Sequence, residues 1–166
     1  MTLELVTASE DDLKDMVAFE MGGELLVVPT RILREVLEPP KLTRVPLAGP
    51  YSAGLINVRG VVLPVTDLRP LFEMEQKPFD IDTRVLVLEL ALEEGTMTIG
   101  VIAEKVHAVL ALDPESIQKV PSVGTRWPQG AIKGIGRWKD RFVNLIDVEK
   151  IAETYLGAVP TDESLH

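Results

Sequence analysis

The second half of this chain repeats the first. Asp147 lies 80 positions after Asp67, and at that offset Gly134 matches Gly54, Ile135 matches Leu55, Val143 matches Leu63, Leu145 matches Val65, Val148 matches Leu68 and Ile151 matches Leu71. Leu42-Thr-Arg-Val-Pro46 matches Ile117-Gln-Lys-Val-Pro121 at an offset of 75, and Arg34-Glu-Val-Leu37 matches His107-Ala-Val-Leu110 at 73. The drifting offset places small insertions in connecting loops, where they cost least. Glycine, proline and aspartate are among the matched residues, so the repeat is more than shared apolarity. It predicts two similar β units, each of about 70 residues with short strands and turn signals, suited to a small closed barrel. Cores of that size are marginal alone. The units should therefore share an apolar interface, with a groove between them.

Local signals fit that plan. Met16–Phe19 and Leu25–Val28 flank Gly22-Gly23, Leu55–Val58 and Val61–Val65 flank Arg59-Gly60, and Ile132–Trp138 and Phe142–Ile146 flank Lys139-Asp140, all hairpin patterns. Val85–Leu90 and Met97–Ala103 surround Glu93-Glu94-Gly95. Ile32, Leu33, Val36 and Leu37 are spaced for a turn or two of amphipathic helix over Thr30–Leu37, stopped by Pro39-Pro40. Asp67 can cap a short helical turn over Leu68–Phe72, and Asp113-Pro114 opens another. Asp147 caps a C-terminal helix over Val148–Leu156, with Gly157 at its end and Pro160 beyond. The organisation read from this is an acidic tail over 1–15, a first unit over about 16–82 ending in the polar stretch 73–82, a second over about 83–158, and a tail over 159–166.

Composition removes most chemistry. There is no cysteine, so a disulfide scaffold, a thiol nucleophile and a cysteine zinc site are excluded. Two histidines, His107 and the terminal His166, exclude a histidine-rich metal centre and most catalytic triads. The net charge of −9 and 5% aromatics argue against nucleic acid as a partner. The apolar runs are strand-sized and the first residues carry no basic-then-apolar leader, so a cytoplasmic location without membrane insertion is expected.

Few residues remain as candidates. Asp67 and Asp147 could form a proton-sharing carboxylate pair, but their contexts, Asp67-Leu-Arg and Asp147-Val-Glu, suit helix caps. Gly134-Ile-Gly136 lacks the third glycine of a dinucleotide loop, and no phosphate loop occurs, so no cofactor is expected. His107 sits in an apolar stretch without ligand types beside it, as a surface or half-buried histidine does. Arg137, Lys139 and Arg141 with Trp138 form a basic strip, either plain solvated charge or a contact for an acidic partner. Arg59 is either a turn residue facing water or a partner-anchoring group at the groove mouth. Leu33, Val36 and Leu37 are either core or an exposed docking face.

Gly54-Leu-Ile-Asn-Val-Arg-Gly-Val-Val-Leu-Pro-Val-Thr-Asp-Leu-Arg69 resembles the central signature of CheW-type chemotaxis coupling proteins. Ile99-Gly-Val-Ile-Ala-Glu-Lys-Val106, the segment from Ile117 to Val120-Pro121, Ile132-Lys-Gly-Ile135 and Phe142-Val-Asn-Leu-Ile-Asp-Val-Glu-Lys150 agree with it, and together they cover roughly residues 15–157. Val58 departs from the family's usual leucine, and Arg84 stands where an apolar residue is common. The resemblance implies a mainly β fold of two SH3-like five-stranded barrels with short helices and a C-terminal helix. It implies no enzymatic activity and no metal. It implies two partners: the CheW-like regulatory domain of a CheA-type histidine kinase, and the helical cytoplasmic tip of methyl-accepting chemoreceptors. By position, Thr30, Leu33, Glu35, Arg59, Val85 and Gly100 match the receptor-contacting region, and Ala53, Gly54 and Val123 match kinase or array contacts. Weak self-association through exposed edge strands is a further expectation. The competing readings are a generic peptide-binding β module without a kinase partner, separable by copurification of a kinase, and a hydrolase using Asp67 and Asp147.

Overall fold

The computed structural model describes residues 10–46, 48–120, 127–128 and 130–156. Helix α1 (Glu10–Lys14) precedes β1 (Met16–Met21), β2 (Glu24–Pro29), β3 (Leu33–Leu37), β4 (Ser52–Val58) and β5 (Val61–Thr66). Then come β6 (Arg84–Leu92), β7 (Gly95–Ala103), β8 (Lys105–Leu110), β9 (Ile132–Trp138), β10 (Arg141–Ile146) and helix α2 (Val148–Tyr155). The four hairpins fall where the turn residues place them. Gly22-Gly23, Arg59-Gly60 and Lys139-Asp140 each put two successive residues at positive φ. That is the turn whose twist matches paired antiparallel strands.

The strands form two five-stranded sheets, in the orders β8-β1-β2-β10-β9 and β3-β6-β7-β5-β4. If β1 to β5 are matched in order with β6 to β10, one list becomes the other, so the duplication is real at the level of topology. Backbone bonds repeat too. Thr43 bridges Leu55 as Gln118 bridges Ile135, and Asp67 N–H donates to Tyr51 O as Asp147 N–H donates to Ala131 O, each at 2.8 Å. Through those bridges the chain beyond one edge strand reaches the opposite edge, rolling each sheet towards a barrel.

The sheets do not divide at residue 82. Each takes its central hairpin from one repeat and its other three strands from the other repeat: β1 and β2 lie with β8, β9 and β10, while β6 and β7 lie with β3, β4 and β5. The connections dictate this exchange. In either sheet the third strand of a repeat runs antiparallel to the first hairpin strand, hence parallel to the second. To pair within its own repeat, β8 would have to return along the whole nine residues of β7, roughly 30 Å, before starting. Only Glu104 separates them, and one residue spans about 3.6 Å. Crossing to the other sheet is the only route that a connection so short permits.

Three cores result. Met16, Ala18, Leu25, Val27, Val143 and Leu145 fill the first sheet with Leu13, Leu110 and Leu112. Ile56, Leu63, Val65, Val85, Val87 and Ile102 fill the second. Alternate residues of the same central strands, such as Val17, Phe19, Leu86 and Leu88, meet Leu68, Leu71, Ile151 and Ala152 in a larger core shared by both sheets. The central hairpins are thus buried on both faces, which is why they read as continuous apolar runs rather than alternating ones.

Two local expectations are corrected. Thr30–Ile32 is a single 3-10 turn, and Leu33–Leu37 is a strand on the edge of β6, not a helix. Leu33 and Leu37, four apart, share a face in both geometries, so their spacing could not choose between them. Residues 10–15 are not a free tail: Leu13 is buried, Leu112 N–H donates to its carbonyl, and Arg31 donates to Asp12. Residues 1–9 and 157–166 lie outside the described residues. Among the described residues, no helix is long and apolar enough to cross a membrane.

Candidate functional site

The β4–β5 turn carries Arg59 away from its sheet at positive φ, and Gly60 N–H donates to Asn57 Oδ1 at 2.9 Å to close the turn. The rolled sheet brings this tip against β3. Arg59 Nη1 donates to Glu35 Oε1 at 3.2 Å, and Nη2 donates to Oε2. The Arg59 hydrogen bonds hold the Glu35 carboxyl below the usual carboxylate range. Arg59 remains 71% exposed, so the pair leaves its outer face open. Val36, Val61 and Val62, all within three residues of the pair in sequence, are exposed large apolar side chains. Beside them Arg34 donates to Glu89 at 2.6 Å. Thr30 opens the 3-10 turn, and Leu33, half-buried, faces Leu88 of β6.

While Leu33 packs towards the core shared by both sheets, Glu35 and Arg59 share one surface region. Val85 and Gly100 do not reach it. Val85 is 0% exposed and pairs with Leu37, and a Cβ on Gly100 would lie 2.7 Å from Val85 Cγ1. They touch each other beneath the surface, where they set how closely β6, β7 and β5 pack.

Ala53 and Gly54 line a separate open hollow of about 340 Å³ with Arg44, Val45, Pro46 and Ser52. Gly54 sits at φ +129, and an added Cβ would stand 2.6 Å from Thr43 O, inside the bridge that closes the sheet. Gly54→Ala should cost roughly 1–3 kcal/mol, through that clash and the disfavoured backbone, seen as a lower urea midpoint with unchanged m. An unchanged midpoint would mean that the bridge shifts freely. Val123 lies outside the described residues. Residues of both sheets meet in the shared core, the apolar interface expected between the two units. A smaller crevice of about 160 Å³, lined by Tyr51, Pro64, Met97 and Tyr155, lies where α2 meets the second sheet.

The two aspartates have separate local tasks. Asp147 accepts Lys150 N–H and caps α2. Asp67 accepts Arg69 Nε at 2.9 Å, Arg69 Nη2 at 2.8 Å and Gln76 Nε2 at 3.0 Å. Burial alone would raise the Asp67 carboxyl, but those donors and the guanidinium charge outweigh it and hold the group below the usual range. Arg69 Nη1 reaches Glu104 Oε2 at 3.2 Å, and Glu104 Oε1 accepts Gly22 N–H at 3.0 Å. This chain ties the second sheet to the β1–β2 turn of the first. The sequence showed Asp67 as a cap; the tie through Arg69 and Glu104 had no local signal.

His107 pairs with Glu20, which also lies 3.5 Å from Arg141. Burial pushes Glu20 up, and the His107 hydrogen bond and the two neighbours outweigh it, leaving Glu20 low. The pair occupies the place of Arg34–Glu89 in the other sheet. Among the described residues, no group of three or more histidine or acidic side chains is placed to hold a metal.

Comparison with known proteins agrees with this architecture. The model of the CheW-like domain matches residues 15–155. The chemotaxis protein CheW of Klebsiella aerogenes is 27% identical over 138 residues, 83% of this chain and 81% of its own. That of Bacillus subtilis is 26% identical over 162 residues, covering 96% and 98%. Protein PilI of Pseudomonas aeruginosa is 38% identical over 73 residues, 44% of this chain and 41% of its own. The crystal structure of scaffolding protein TtCheW from Thermoanaerobacter tengcongensis superposes with a TM-score of 0.74 at 26% identity, covering 86% of this chain and 94% of that one. With a matching domain spanning nearly all of the described residues and the interleaved sheets of its duplication, this chain belongs to the CheW-like family of chemotaxis scaffold proteins.

Proposed function

We propose that this protein is a non-enzymatic adaptor that couples methyl-accepting chemoreceptors to a CheA-type histidine kinase in a cytoplasmic signalling array. The observation that carries the reading is the β4–β5 tip, where exposed Val36, Val61 and Val62 lie within three residues of an ion pair that leaves Arg59 largely exposed. A helical receptor tip offers what such a surface needs: apolar side chains for the valines and polar groups for the guanidinium. Thr30, Leu33, Glu35 and Arg59 form the contact, and Val85 and Gly100 act from below by fixing its shape. The kinase's regulatory domain docks at the hollow beside Ala53 and Gly54, and Val123, which lies outside the described residues, is assigned to the same partner by its position in the sequence. Two modest affinities suffice, because simultaneous binding raises the effective concentration of each partner. Signal passes when the adaptor's contacts differ between the kinase-on and kinase-off arrangements.

The test is a titration of the intact protein with the kinase's regulatory domain and, separately, with a receptor signalling-tip fragment. Saturable one-to-one binding to both is expected. No binding to the kinase domain at tens of micromolar would overturn the adaptor reading. Arg59→Ala should leave the melting curve unchanged, keep kinase binding, and weaken receptor binding by on the order of tenfold. A variant that unfolds, or binds receptor normally, removes Arg59 from the contact.

A further inference from the structure

The β9–β10 tip occupies the place in the first sheet that the β4–β5 tip occupies in the second. Lys139-Asp140 sits at φ 50 and 64 where Arg59-Gly60 sits at 50 and 87. The two tips differ in charge balance. Glu35 neutralises Arg59, but Ala108 stands in the corresponding place on β8. Among the described residues, Arg137 and Lys139 make no ion pair, and Arg141 has only Glu20, which His107 already engages. Instead, the cations lie on aromatic faces: Arg137 stands 5.3 Å from the Phe142 ring centre, and Lys139 stands 4.8 Å from that of Trp138. Such stacking orders a cation without cancelling its charge. Phe142 is 64% exposed and faces Arg137 across the hairpin, so an open apolar ring lies beside an unneutralised cation.

We propose that the β9–β10 tip is a second docking surface, for an acidic protein segment that carries carboxylates on either side of an apolar side chain. Carboxylates would meet Arg137 and Lys139, and the apolar side chain would cover Phe142. Charge complementarity selects a narrow segment rather than a broad anionic surface. The chain as a whole carries −9, so a broad membrane surface of acidic lipid would face net repulsion. A single strand or helix of a partner meets the strip alone. Electrostatic steering would make the association fast and salt-sensitive.

The experiment is a nuclear magnetic resonance titration of the intact nitrogen-15-labelled protein with a synthetic peptide alternating glutamate and leucine, and with its lysine-leucine counterpart. The expected result is saturable shifts at the backbone amides of residues 136–143, not at the β4–β5 tip, with the acidic peptide only. Raising salt should weaken the binding. Arg137→Glu with Lys139→Glu, both outside any ion pair among the described residues, should keep the spectrum folded and weaken the peptide at least about tenfold. The proposal fails if shifts are absent, if they fall equally on both tips, if the basic peptide binds as well, or if the double variant binds unchanged. It also fails if phosphatidylglycerol vesicles, rather than the peptide, bind through these residues.

Discussion

Arg69→Ala should destabilise the protein by about 3–5 kcal/mol, the range for removing one partner of a buried ion pair. The Arg69 side chain is 4% exposed and that of Asp67 is 7% exposed. The guanidinium forks onto both Asp67 oxygens, reaches Glu104 and also donates to Lys77 O at 3.1 Å. Truncation leaves the Asp67 carboxylate desolvated with no cation to face it, and cuts the tie to Gly22. Against a typical total of about 5–15 kcal/mol, that loss is a large fraction of the fold's stability. Arg69→Lys keeps the charge but not the fork, so most of the loss should remain. Asp67→Leu with Arg69→Met should cost less than the sum of the single changes, because neither charge is then stranded. Urea unfolding of wild type, Arg69→Ala, Arg69→Lys, the double variant and its two single variants is the measurement, and a loss below about 1 kcal/mol for Arg69→Ala would show that water replaces the guanidinium. The pH dependence has a fixed sign. The folded Asp67 carboxyl lies below its ordinary value. Its contribution is therefore complete above the unfolded value of about 3.9, and is lost as pH falls through the lower folded value. The stabilities of wild type and Arg69→Ala should converge on that acid side.

Much of this molecule could be read from its residues, and the gaps have specific causes. The hairpins were legible because Gly22-Gly23, Arg59-Gly60 and Lys139-Asp140 are turn pairs between apolar runs. The duplication was legible because Gly54 and Asp67 recur as Gly134 and Asp147 at one offset, and the two aspartates make the same backbone bond in both halves. The strand at Leu33–Leu37 was not, because a separation of four residues suits both periods and only pairing with β6 decides. Arg69 was not, because nothing local distinguishes a buried arginine from an exposed one; its partner Glu104 lies 35 residues away. Val85 and Gly100 show a third kind of gap. Their place on the chain marks them for the expected contact region, but burial, which the sequence does not display, keeps them off the surface. The exchange of hairpins between sheets was hidden for yet another reason: a repeat states which segments are alike, not which copies pair.

That exchange carries the second large expectation: residues 1–82 and 83–166, made as separate chains, should each be unfolded and should fold when mixed. In the first fragment, β3 loses β6, and β5 loses β7, so the hairpin β4–β5 stands alone. The hairpin β1–β2 loses β8 on one side and β10 on the other. Isolated two-stranded hairpins are marginal at best in water. The one escape is for β1 and β2 to take the places of β6 and β7. That would require β3 to lie against β1 and parallel to β2, which means returning along the six residues of β2 before starting, roughly 20 Å. Residues 30–32 are the whole connection, and three residues reach about 11 Å at most. In the second fragment the single residue Glu104 makes the same return still less attainable. Each fragment alone should therefore lack a cooperative melt and dispersed amide resonances. An equimolar mixture should recover both, with a melting temperature that rises with concentration, as association requires. Independent folding of either fragment would mean that the connections can be remade without the partner repeat, and that the interleaving is a preference rather than a constraint.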